Sequence, residues 1–235
     1  MMRRILSIGL FVVLVLALIA WVFFSPNKVL ENYHIRSHLK QVETGQVDQV
    51  VKPYLGQSFW RLDLERLHAQ IVRLDWVYKA SVTRRWPNEI DITIEEQQPV
   101  VRWGKDALLN KNGDIFYPQN IKPFKDFVVL EGEDLQAKKL LSDLVFFQKK
   151  FHPMGWTIDR LSSQPDGGWL IHFWKHATVE LDTHDWRHKL DRFLRAYPKI
   201  KSSLRNDALL YDLRYSNGFV VKQKTDSEHK DGTSS

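Results

Sequence analysis

The feature that most limits what this chain can fold into is an uncharged apolar run of about 20 residues, ILSIGLFVVLVLALIAWVFF, from Ile5 to Phe24. As a helix rising about 1.5 Å per residue it spans a hydrocarbon core of about 30 Å. Arg3 and Arg4 precede it, and Trp21, Phe23 and Phe24 close it. Positive charge before the span predicts a cytoplasmic N-terminus, with everything after Ser25 outside. The rival reading is a cleaved signal peptide, but its apolar region is shorter and ends at small residues, whereas this run ends in bulky ones.

That topology decides how to read the charge. The 235 residues carry a formal net charge of +6, which by itself admits nucleic acid, anionic lipid or acidic protein partners. A single anchor with a tiny cytoplasmic tail argues against nucleic acid and for lipid head groups, cell wall or acidic proteins. The chain has no cysteine, so disulfides, cysteine zinc sites and thiol nucleophiles are all excluded.

After the run, Ser25 to Asn32 reads as a polar linker, with Pro26 as a helix stop. Tyr33 to Leu39 suggests a first strand. Thr44 stands as an N-cap candidate before a Val47, Val50, Val51 and Tyr54 stripe on a short helix. A second helix is predicted with Asp63 as its cap and Leu64, Leu67, Ile71 and Leu74 on one face. Next, Tyr78, Ala80 and Val82 alternate with polar residues, as do Ile90, Ile92 and Ile94, the period of half-buried strands. Trp86-Pro87-Asn88-Glu89 turns one into the other. Residues 33–98 therefore read as a small unit in the order strand, helix, helix, strand, strand.

From Pro99 the pattern changes. An Asn112-Gly113 turn joins Ala107–Leu109 to Ile115–Tyr117. Phe127–Leu130 is a further short run, and a helix is predicted over about 134–151, with Leu140, Leu141, Leu144, Phe147 and Phe151 facing the core. Strands are expected at Trp156–Leu161, at Trp169–Phe173 after Gly167-Gly168, and at Thr178–Leu181. A helix over about 185–197 should bury Trp186, Leu190, Phe193, Leu194 and Tyr197. Last, Ala208–Tyr215 and Phe219–Lys222 flank Asn217-Gly218, and residues 224–235 are expected to be disordered. The predicted class is α+β, the second part being a mixed, mainly antiparallel β domain over 99–223.

No catalytic constellation emerges. His184 and His188 have the i, i+4 spacing of a helical metal pair, but Asp185 stands where a general-base Glu would, and no third ligand is evident among His152, His172 and His176. Trp186 and Leu190 define the apolar face, so both histidines should lie on the solvated side. A metal-dependent wall hydrolase built on them is the enzymatic alternative. Asp63 with Glu65 and Glu95 with Glu96 could be acid/base pairs, but a cap and a polar strand end account for them. The nine tryptophans could stack on wall sugars; most fall at strand starts or on helix core faces, which favours burial. The last strands, from Tyr211 to Gln223, are expected near a sheet edge, where a partner strand can add; Lys222 and Lys224 could equally serve to guard that edge.

Several ordered motifs resemble the FtsQ/DivIB family of bacterial cell-division proteins over nearly the whole chain. They are Leu55-Gly-Gln-Ser-Phe-Trp followed by Asp63, Trp76-Val, Ala80-Ser-Val-x-Arg-x-Trp86-Pro-Asn and Glu96-Gln-x-Pro99-Val-x-x-Trp103. Leu108-Leu-Asn-x-x-Gly113-x-x-Phe116, Arg192-Phe, Tyr197-Pro and Asp212-Leu-Arg-Tyr-x-x-Gly218 continue the series. The resemblance implies a POTRA domain (βααββ) followed by a β domain. It also implies a non-enzymatic bitopic scaffold, without cofactor, metal or small-molecule substrate, in the inner membrane at the division septum. Its implied partners are FtsB and FtsL, with early cytoplasmic and late periplasmic division proteins linked through it. Carried over by position, Arg214 and Tyr215 match the partner-contact pair, and Asn217, Gly218, Phe219, Val220 and Val221 match the strand that receives FtsB. The basic residue the family often has before the helix near Asp185 is missing from Leu181-Asp-Thr183-His184. The alternative function is a POTRA-containing translocation or membrane-assembly accessory protein, although such proteins normally carry several POTRA units or a barrel.

Overall fold

A computed structural model describes residues 9–17, 21 and 28–224. The expected cytoplasmic residues 1–4, much of the expected span 5–24 and all of the expected tail except Lys224 lie outside these. Residues 9–17 are helical, with exposed apolar side chains. No helix among the described residues is long and apolar enough to cross a membrane. The chain divides into two compact units, the first ending at Gln97 and the second starting at Gln98.

In the first unit, β1 (Asn32–Ile35) is followed by α1 (Thr44–Val51), α2 (Leu64–Val72), β2 (Val77–Arg85) and β3 (Glu89–Glu96). The sheet order is β1-β3-β2, with β1 parallel and β2 antiparallel to β3. Ile90, Ile92 and Ile94 turn their shared face to one core with Val47 and Val51 of α1 and Leu67 and Ile71 of α2. The two-residue and helical periods in the sequence thus converge on a single apolar interior. Asp63 caps α2, its carboxylate accepting from the Arg66 amide at 2.9 Å. Thr44 does not cap α1: it is the first helical residue, and Glu43 before it makes no side-chain cap bond. Strand β1 stops at Ile35, four residues short of the expected Leu39. Glu96 does more than end a strand, because its carboxylate accepts from the amides of Lys40, Gln41 and Val42 at 2.8 to 2.9 Å, securing the entry to α1.

The second unit contains β4 (Pro99–Trp103), β5 (Ala107–Asn110), β6 (Ile115–Phe116), β7 (Val129–Glu131), α3 (Ala137–Phe151), β8 (Ile158–Ser163), β9 (Trp169–Phe173), β10 (His176–Leu181), α4 (Trp186–Ala196), α5 (Ser202–Asn206), β11 (Ala208–Asp212) and β12 (Val220–Gln223). Among the described residues these strands form one sheet in the order β12-β11-β10-β9-β8-β7-β4-β5-β6. The pairing is mixed: β10 with β11, β7 with β8, and β4 with β7 run parallel, and the other pairs antiparallel. Leu140, Leu144, Phe147 and Phe151 on α3 and Leu190 and Phe193 on α4 join the sheet residues in an aromatic-rich core. Within it Trp156 packs edge-on to Phe173 at 4.8 Å and to Tyr197 at 5.0 Å. Trp103, Trp156 and Trp169 are core residues, whereas Trp60, Trp86 and Trp174 are exposed. Gly168 is dictated by packing, since a Cβ there would lie 2.2 Å from the Leu181 carbonyl oxygen.

Candidate partner-binding edge

Strand β12 ends the second sheet on one side, pairing with β11 through Asp212↔Val220, Tyr211↔Val221 and Leu210↔Lys222. No strand among the described residues pairs with its other side. Val220 and Lys222 are exposed, while Val221 packs against the core, so side chains alternate as expected of a one-face-buried strand. Alternate residues of an antiparallel strand point their backbone groups inward, so four residues leave an incoming chain the donors and acceptors of only about two. Backbone pairing here needs help from fixed side chains nearby.

Those side chains sit on the connection from β11 to β12. Asn217-Gly218 does not form the expected two-residue hairpin turn: β11 ends at Asp212, β12 begins at Val220, and Gly218 does not take the left-handed backbone such a turn requires. The reason is a competing set of bonds from α4. The Arg192 guanidinium donates to the carbonyl oxygens of Ser216 at 2.6 Å, Tyr215 at 2.9 Å and Gly218 at 3.2 Å. One turn earlier Lys189, only 4% exposed, donates to both Asp182 oxygens at 2.7 and 2.8 Å and to the Arg214 carbonyl at 2.8 Å. Phe219 closes the connection edge-on against Phe193 at 5.3 Å, so it precedes the strand.

Arg214 faces inward chemically. Its Nε and one terminal nitrogen donate to the two oxygens of the buried Asp212 at 2.9 and 2.7 Å, and the other terminal nitrogen pairs with Glu180 at 2.9 Å. Because Glu180 and Asp212 are register partners on β10 and β11, this side chain ties the parallel pair together. The Arg214 hydrogen bond holds the Asp212 carboxyl below its ordinary pKa, and the guanidinium's own pKa is raised in return. Tyr215, by contrast, is 53% exposed. The edge therefore presents Tyr215, Val220 and Lys222 outward, on a frame fixed by Lys189, Arg192 and Arg214.

Residues 214–221 stand together in the sequence, whereas no local pattern marks a role for Lys189 and Arg192. Their i, i+3 spacing places them on one side of α4, yet a hydrophobic-period reading counts both simply as polar. His184 precedes α4 and His188 is exposed on it, hydrogen-bonded to Asp185 at 2.5 Å, so the two do not share a helix. No group of three or more His, Asp or Glu residues suited to a metal occurs among the described residues.

Residues 30–97 match the family described as "POTRA domain, FtsQ-type", and residues 101–214 match "Cell division protein FtsQ/DivIB, C-terminal". Similar proteins named "Cell division protein FtsQ" include one from Nitrosospira multiformis, 29% identical over 87% of this chain and 88% of that protein. The one from Xanthomonas campestris pv. campestris is 30% identical over 84% of this chain and 71% of its own length. That from Thioalkalivibrio sp. is 26% identical over 98% and 97%.

Proposed function

Since this chain belongs to the FtsQ/DivIB family of cell division proteins, we propose that it is a non-enzymatic scaffold receiving an extended segment of FtsB, in complex with FtsL, along the free edge of β12. In this reading residues 5–24 form a single inner-membrane anchor with the N-terminus in the cytoplasm, and both units lie in the periplasm at the septum. The scaffold joins early cytoplasmic to late periplasmic division proteins, so it controls assembly by binding rather than by turnover.

The observation that supports the partner site is the unpaired outer side of β12 beside an exposed Tyr215. Strand addition supplies backbone hydrogen bonds, and alternate side chains supply specificity. Arg214 is already neutralised by Asp212 and Glu180, so an acidic partner residue meets Lys222 first, with Tyr215 fixing orientation. Asn217, Gly218 and Phe219 shape the entry, and Val220 and Val221 form the receiving strand.

Co-purification with FtsB tests this. Tyr215→Ala, and Val221→Pro, which removes an amide on the side of β12 away from β11, should each lose FtsB while keeping the circular dichroism spectrum. Undiminished binding by both folded variants would overturn the assignment.

A further inference from the structure

Three separate stretches of the first unit are stitched into one exposed surface. The Leu30 amide donates to the Gln57 carbonyl at 2.9 Å, Gly56 to Leu30 at 2.9 Å, Phe59 to Lys28 at 2.8 Å, and Glu31 to Asn88 at 2.9 Å. Arg84 reinforces the middle stretch, donating to the carbonyls of Phe59 at 3.1 Å and Leu62 at 2.7 Å. Leu30, Phe59 and Leu62 turn into the core. Their neighbours turn out: Val29 is 39% exposed, Leu55 37%, Trp60 38% and Trp86 47%.

Held by backbone bonds, these apolar groups form a constant feature of the surface, and a cluster of this kind marks an interaction site. Its chemistry is that of a membrane interface, where indole rings sit at head-group level and basic side chains flank them. The Lys28 ammonium lies 4.5 Å over the Trp86 ring. Lys52 and Arg61 are exposed on the same connecting stretch and, with Lys28, outnumber Glu31 and Asp63.

The chain also brings this surface to a membrane. Lys28 follows Phe24, the last residue of the apolar run, by four positions. At about 3.5 Å of reach per residue it lies within about 14 Å of that end. We infer that the surface of Val29, Leu55, Trp60 and Trp86 rests on an anionic lipid surface, docking the first unit against the bilayer. This rests on residues 5–24 being an anchor. Docking turns an anchored unit into an oriented one.

The cysteine-free chain suits a site-directed spin-label test. Full-length protein carrying Leu55→Cys, Ser81→Cys on exposed β2 or Trp21→Cys is placed in phosphatidylcholine nanodiscs with or without phosphatidylglycerol. Relative collision with oxygen and with a water-soluble nickel complex is then read at each label. The expected result is a Leu55→Cys ratio several-fold above that of Ser81→Cys in anionic discs, lost in neutral discs and lost when Lys52→Glu and Arg61→Glu are added. A label at Leu55→Cys as water-exposed as Ser81→Cys in anionic discs, with Trp21→Cys buried, would overturn docking alone. A water-exposed label at Trp21→Cys would overturn the anchor, and docking with it.

Discussion

The Arg192 guanidinium stands 2.9 Å from the Tyr215 carbonyl oxygen, and by also binding Ser216 and Gly218 it sets the path by which the chain enters β12. A side chain on a helix thus determines the shape of the strand connection that displays Tyr215. Replacing Arg192 with Ala removes charged donors each worth about 1.5–3 kcal/mol when fully desolvated, but here partly exposed, so the expected loss of stability is about 1–2 kcal/mol in all. The larger effect should fall on local order: amide exchange across 215–219 speeds up and FtsB capture weakens. Arg192→Lys, which cannot reach three carbonyls at once, should recover only part of either.

Lys189 and Asp182 form a pair whose cation is the more deeply buried member, at 4% side-chain exposure against 24%. Breaking such a pair costs about 2–4 kcal/mol, somewhat less than for a fully buried one. Asp182→Asn should cost more than Lys189→Met, because it strands an ammonium in the interior whereas the reverse change leaves a carboxylate that reaches water. Urea midpoints for the two variants compare them directly.

Two pH windows are expected. Burial lowers the His172 pKa from its ordinary 6.5, so between its folded value and 6.5 the unfolded chain binds more protons. Its contribution is therefore complete above about pH 6.5 and is lost as pH falls below that. Asp212, lowered by the Arg214 hydrogen bond, contributes above its unfolded value near 3.9 and loses that contribution as pH falls through the folded one. Thermal midpoints measured from pH 7.5 downward should decline in both ranges, with His172→Gln flattening the first and Asp212→Asn reducing the second, to which the lowered carboxyls of Asp91 and Asp114 also contribute.

Gly168 and Gly45 should respond oppositely to alanine. A Cβ at 168 would press on the Leu181 backbone at 2.2 Å, so Gly168→Ala must push β10 away and should destabilise by about 2 kcal/mol or more. At 45, within α1, nothing lies within 4 Å, and alanine should stabilise by about 0.5 kcal/mol through helix propensity. Chemical denaturation of both variants reads the two signs.

Much of this architecture was legible because periodicity and burial coincide. Ile90, Ile92 and Ile94 announce a strand, and Leu140, Leu144, Phe147 and Phe151 announce a helix, since each set shares one buried face. What stayed hidden was set by long-range polar contacts. Asn217-Gly218 signals a tight hairpin locally, but three carbonyl bonds from Arg192 prevail, and no local pattern records a partner 23 to 26 residues away. Glu96 reads locally as a solvated strand end, yet its carboxylate accepts from the amides of Lys40 to Val42, 54 to 56 residues earlier in the chain. Arg214 is legible as a cation at the candidate edge, whereas its engagement by Asp212 and Glu180 depends on the parallel register of β10 with β11.

Amide hydrogen exchange of the full-length chain, alone and co-purified with FtsB and FtsL, tests the central claim most directly. In the proposed complex Val220–Gln223 would pass from an edge to an interior position, so its outward-facing amides should exchange much more slowly when the partner is bound, together with those of Tyr215 and Ser216. Protection gained elsewhere, with the exchange of Val220–Gln223 unchanged, would contradict strand addition at β12.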